Sequence, residues 1–166
     1  MLLPVFFLSS CSETTMYVKT DPVLVFSCKA YTAINGYIIE YLLSRNENKE
    51  TQIKILVPEQ VKGLCFTKLQ DEMLVDYNGL SIKKDTLFMP IDSFVLAVIN
   101  IFEYLDKGAE LKHISSENGV STYFCSVGNF EFDVYNSSGF IREIRDLKNS
   151  LVVTMSEHSE NFMEKN

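Results

Sequence analysis

The chain is 166 residues long with 46% hydrophobic and 22% charged residues, the size and composition of one ordinary globular domain and not of a disordered or fibrous polypeptide. Its formal charge is -7, from 15 Lys+Arg against 22 Asp+Glu, which argues against an extended phosphate-binding surface and against nucleic acid as a partner. Beyond a short apolar start, no stretch reaches the roughly 18 apolar residues of a membrane-spanning helix, so any membrane attachment has to come by other means.

The first element is Met1-Leu2-Leu3-Pro4-Val5-Phe6-Phe7-Leu8-Ser9-Ser10-Cys11-Ser12. Large apolar side chains followed by two small ones and a cysteine follow the order of a secretory apolar region and a cleavage site that accepts only small residues. Leu8-Ser9-Ser10-Cys11 resembles the lipobox of bacterial lipoproteins, whose cysteine is diacylated on sulfur and becomes the new N-terminus. No Lys or Arg precedes the run, and it is only about eight residues long, so the true start is expected upstream. A buried strand with an ordinary thiol is the competing reading, and it fits Pro4 and the abrupt polar switch poorly. The division expected is a truncated signal peptide over 1-10, a lipidated Cys11 and tether over 11-16, a single domain over 17-156 and a polar tail over 157-166. Each buried acyl methylene contributes about 0.8 kcal/mol, so two or three chains would hold the domain on the membrane outside the cytoplasm.

From residue 24 onward, turn chemistry and alternation organise the chain. Asn35-Gly36, Asn78-Gly79 and Asn118-Gly119 are hairpin signals, and Gly128-Asn129 and Ser138-Gly139 mark two further reversals. Between them apolar residues alternate, as in Leu24, Phe26, Cys28 and Ala30, or Tyr37, Ile39, Tyr41 and Leu43. The same period recurs at Ile53, Ile55 and Val57, at Met73, Val75 and Tyr77, at Phe130, Phe132 and Val134, and at Leu151, Val153 and Met155. Lys29, Glu40, Lys54, Asp76, Glu131, Asp133 and Thr154 take the opposite parity, which predicts an antiparallel sheet with one apolar and one wet face. Residues 45-50 read as a solvated loop. Cys28, Cys65 and Cys125 each sit in apolar, strand-like contexts and are expected to be buried thiols, with one bridged pair as the alternative.

Alternation stops at residues 93-107, where Phe94, Val98, Ile101, Phe102 and Leu105 recur at helical spacing. Asp92 or Ser93 can cap this helix and Gly108 can end it. Nearly all its sides are apolar, with Asn100 the polar interruption expected to be exposed or bonded to backbone. An apolar sheet face and an apolar helix are most economically joined by wrapping the sheet around the helix. The fold class expected is therefore α+β, mainly antiparallel β, with a strongly curved half-barrel sheet around a central apolar helix.

The order of these elements, with the segment Val57-Pro58-Glu59-Gln60-Val61-Lys62-Gly63-Leu64-Cys65-Phe66, the turn Tyr77-Asn78-Gly79-Leu80-Ser81 and a final strand led by Gly139, resembles the LolA/LolB-type lipoprotein carriers over about residues 17-156. The resemblance implies an incomplete antiparallel barrel closed by helices, with an apolar concavity that holds acyl chains. It is one of pattern, most similar to small lipoprotein members of the superfamily, and it transfers no catalytic or ligand motif.

Enzyme chemistry finds no support in the sequence, which holds no G-x-S-x-G, H-E-x-x-H, C-x-x-C or glycine-rich phosphate loop. His113 and His158 read as surface imidazoles, and Asp71-Glu72 and Asp106 near Glu103 as ordinary surface charges. No cofactor or metal is expected. The first functional reading is a lipid-anchored protein with Phe26, Tyr37, Ile39, Phe66, Tyr77, Phe94 and Phe102 lining a cavity for a lipid or other hydrophobic ligand, against the plainer reading that they fill a solid core. The alternative is a protein-interaction or regulatory module of the cell envelope.

Overall fold

The computed structural model describes residues 19-34, 36-85 and 93-159. The strands are β1 Phe26–Ile34, β2 Tyr37–Arg45, β3 Thr51–Val57, β4 Cys65–Leu69, β5 Glu72–Tyr77 and β6 Leu80–Asp85. Helix α1 spans Phe94–Asp106, and β7 Leu111–Glu117, β8 Val120–Cys125, β9 Phe130–Tyr135, β10 Ile141–Asp146 and β11 Leu151–Ser159 follow it. The eleven strands among the described residues form one antiparallel sheet in the order β6-β5-β4-β3-β2-β1-β11-β10-β9-β8-β7. No described helix is long and apolar enough to cross a membrane.

The turn residues fix the meander. Asn78 and Gly79 hold φ of 50° and 80°, Asn118 and Gly119 of 51° and 77°, the paired positive values that a two-residue hairpin requires and that β-branched side chains resist. Tyr77 then pairs with Leu80, and Glu117 with Val120. Ile34 likewise pairs with Tyr37 across the first turn.

The chain runs outward from β1 to one edge, β6, and resumes at the other, β7, so α1 is the crossover between the edges. The two edges would lie roughly 48 Å apart in a flat sheet. The contacts of α1 show that the sheet is not flat. Glu103 lies 3.7 Å from Lys68 on β4, while the next residue, Tyr104, packs its ring 6.4 Å from that of Phe130 on β9. Six strand spacings separate β4 from β9, roughly 29 Å if flat, too far for adjacent residues of one helix to bridge comfortably. The sheet therefore curves around α1. Gly128 serves this contact, since a Cβ there would come within 2.8 Å of the Tyr104 ring and 2.5 Å of Phe130.

The helix begins after Ser93 and closes as a Schellman motif, with Gly108 at φ 69° donating to the Leu105 carbonyl and Ala109 donating to that of Tyr104. Val95, Ala97, Val98, Ile99, Ile101, Phe102 and Leu105 are buried, and Asn100 is exposed. They join Phe26, Tyr41, Leu43, Ile53, Phe132, Ile144 and Met155 of the sheet in one core cluster. Cys28, Cys65 and Cys125 are buried free thiols, and burial pushes the Cys28 pKa up to about 12.

Three expectations change. Residues 45-50 are not wholly a solvated loop, because Arg45 is the last residue of β2 and is 2% exposed. Strand β11 runs to Ser159, so His158 lies in a strand and not in the polar tail. The sheet also contains β4, β6, β7, β8 and β10, which none of the alternating sets covers. Cys11, Asp92 and the segment 1-16 lie outside the described residues.

Candidate functional site: the inner face of the sheet

Directly paired residues of antiparallel strands point to the same side of a sheet, so the register reads out the face that bears α1 row by row. One row is Leu43, Ile53, Phe66, Val75 and Ile82, running from β2 to β6 without a polar residue. Beside it Tyr41 pairs with Ile55, and Tyr77 with Leu80. The row on the other side is Arg45, Thr51, Lys68, Met73 and Lys84. The inner face thus changes from apolar to cationic along the strand direction.

Burial divides the seven residues expected to line a cavity. Phe26 and Phe102 meet at 5.5 Å in the closed core. Ile39, Phe66 and Phe94 are half-buried against the core, with the Phe94 ring 5.6 Å from that of Tyr41. Tyr77 is half-buried and donates its hydroxyl to the Gln60 carbonyl at 2.9 Å, while Tyr37 is 76% exposed. Leu80 and Ile82, which alternation had not singled out, are 73% and 54% exposed on the same face. The Tyr41 hydroxyl is buried and finds no hydrogen-bond partner among the described residues, and burial, with the Cys28 sulfur as a second cause, raises its pKa. A buried donor left in this state costs about 1-3 kcal/mol.

At the other end of α1, a cleft of about 390 Å³ lies between the helix and the β2–β3 and β4–β5 turns, with Ile99, Thr51, Lys68, Glu103 and Asp106 among its lining residues. Arg45 organises it. Its Nη2 donates to Asp106 Oδ2 at 2.6 Å, its Nε to Thr51 Oγ1 at 3.0 Å and its Nη1 to the Leu24 carbonyl at 3.2 Å, with the guanidinium 4.8 Å above the Phe102 ring. Glu103 lies between Lys68 and Lys107, at 3.7 and 3.6 Å. None of the seven expected residues lines this cleft. Arg45 and Asp106 were missed because an arginine at a strand end and an acid at a helix end look solvated in sequence. The available signal was the (i, i+2) step from Leu43 to Arg45, which keeps the inward parity.

Two polar clusters lie elsewhere. On the outer face of β8–β10, Arg145 donates to Asp133, Glu131 and Glu143, and Arg142 to Asp133. Asp133 is only 4% exposed. Burial alone would raise its pKa, but hydrogen bonds from Arg145 and Thr122 and the charges of Arg145 and Arg142 outweigh this and hold it below the usual value. On β7 and β8, His113 Nε2 lies 2.8 Å from Ser116 Oγ, which lies 2.7 Å from Ser121 Oγ, itself donating to Asn136 at 2.7 Å. No group of three metal-ligating side chains occurs among the described residues.

No protein-family model matches the chain, and no curated protein matches it in sequence. Among solved structures it is similar to an uncharacterized conserved protein from Thermus thermophilus, with TM-score 0.53 and 8% identity over 86% of this chain and 82% of that one. It is also similar to a LolA superfamily protein from Nitrosomonas europaea, with TM-score 0.50 and 9% identity over 87% of this chain and 90% of that one. At these identities the likeness is one of fold.

Proposed function

From a LolA-like fold whose inner face is apolar and only partly covered by its helix, we propose that this protein binds an acyl chain or similar hydrophobic ligand on that face, as a lipid-tethered, extracytoplasmic protein without catalytic activity. The observation that carries the reading is the exposure of Leu80 and Ile82 beside Phe66, Val75 and Tyr77 on the side of the sheet that bears α1. Solvent-facing apolar side chains in one cross-strand array are where a ligand chain gains burial at about 25 cal/mol per Å². The tether rests on Leu8-Ser9-Ser10-Cys11.

A fluorescent fatty-acid probe should bind the purified chain saturably, be displaced by bacterial lipid, and raise the melting temperature in proportion to occupancy. Ile82→Asp should weaken the probe without unfolding the protein, because residue 82 is exposed. Absence of saturable binding sinks the ligand reading. The anchor is tested separately: Cys11→Ala should release the protein from the membrane fraction or leave unprocessed precursor, and unchanged fractionation and mature mass would sink the tether.

A second reading, a protein-interaction module, is favoured by the outer face, where Ile38 on β2 and Val152 on β11 flank Ala33 of β1 and are 60% and 45% exposed. It becomes the better account if the probe fails and Ile38→Asp abolishes capture of a defined envelope partner.

A further inference from the structure

The cationic row beside the apolar array adds a head-group to the ligand just proposed, and rests on that reading. Arg45, Lys68 and Lys84 occupy one row across β2 to β6, immediately next to Leu43, Ile53, Phe66, Val75 and Ile82. Their availability differs. Arg45 has committed its guanidinium to Thr51, Leu24 and Asp106. Lys68 is mostly buried, bonded to the Gln70 carbonyl and 3.7 Å from Glu103. Lys84 is exposed and has no ion-pair or hydrogen-bond partner among the described residues. It pairs with Met73, which in turn pairs with Lys68, so the two lysines stand in one row on either side of Met73. Lys84 is therefore the cation of the row left available to an anion, and it borders the apolar array. A chain starting from that point and running along the strand direction meets Val75 and Ile82, then Tyr77 and Leu80.

We propose that the ligand of this face is a single-chain amphiphile with an anionic head, a carboxylate or a phosphate, held with the head at Lys84 and the chain laid over Val75, Ile82 and Leu80. In a protein of formal charge -7 an anion is repelled over most of the surface, so a free lysine bordering an apolar array discriminates among amphiphiles where apolar area alone does not.

The test is equilibrium titration of the full chain, below micelle-forming concentrations, with dodecanoate, dodecyl phosphate, neutral monolauroylglycerol and cationic dodecyltrimethylammonium. Either or both anions should bind about tenfold more tightly than the neutral chain, and the cation more weakly than the neutral one, with the anion preference shrinking as salt rises. Comparing carboxylate with phosphate separates a free fatty acid from a phosphate-headed lipid. Lys84→Gln should remove most of the preference while leaving monolauroylglycerol affinity unchanged, and Lys84→Glu should invert it. Lys148→Gln, in the turn between β10 and β11, should change nothing. Equal affinity for anionic and neutral chains, or a preference that survives Lys84→Gln, overturns this proposal and leaves the hydrophobic-ligand reading standing. No binding of any of the four overturns both.

Discussion

Arg45 joins α1 to the sheet through a carboxylate, a hydroxyl, a carbonyl and an aromatic face at once. Removing only one partner of such a pair leaves a charge in a water-poor site, which typically costs about 3-5 kcal/mol. Asp106→Ala should therefore destabilise the protein by about that much in urea titrations, whereas Arg45→Met with Asp106→Leu should lose less than the two single variants summed. Full additivity would mean that the two side chains act independently. His158 makes a pH-dependent contribution. Burial lowers its pKa, opposed by the hydrogen bond to the Ile141 carbonyl, and its ring stacks on Phe140 at 4.8 Å. Because the folded pKa lies below the unfolded value of about 6.5, the unfolded state takes up the proton first, and stability falls as pH drops from about 6.5 to the folded pKa. His158→Phe should flatten this part of the stability profile, and an unchanged slope would show that another group titrates there. Asp133 acts with the same sign lower on the scale: its contribution is complete above about 3.9 and is lost as pH falls through the depressed folded value.

The crossover helix is the element on which the curvature depends. Phe102 touches Phe26 and lies under the Arg45 guanidinium, so Phe102→Ala removes a fully enclosed ring and should cost about 3-5 kcal/mol. Lys107→Ala, at the exposed end of α1, should cost under about 0.5 kcal/mol. Similar small losses in both variants would place the helix at the periphery. This helix was legible in the sequence because its apolar residues leave the period of two, and its end because Gly108 supplies the positive φ of the closing turn. The central strands were legible for the opposite reason: one buried face imposes alternation on β1, β2, β3 and β9. Strand β6, by contrast, is exposed at all six positions, so Leu80 to Asp85 carries no contrast to read, and its strand state comes only from pairing with β5. The bulges within β7 and β10 break the parity that would have revealed them. The site was legible in part. Tyr77 was found by alternation, Phe94 by helical spacing and Phe66 in its apolar segment, but the cationic row was not, because Arg45, Lys68 and Lys84 become neighbours only through strand register.

In the whole molecule, the two ends of the inner face have separate roles. Around Phe26 and Phe102 the space between helix and sheet is filled, and Arg45 cross-links the two at the edge of the cleft. Towards β5 and β6 the same face continues apolar but uncovered. A solid end keeps the curvature, and the open wing offers area to a ligand without disturbing the core. The most direct test is native mass spectrometry of the protein gently purified from its own membrane fraction, compared with Ile82→Asp prepared identically. Wild-type protein should carry a non-covalent adduct of lipid mass, released by collisional activation and depleted in the variant; wild-type protein without such an adduct, even after incubation with the host's lipid extract, rules out a hydrophobic ligand on this face.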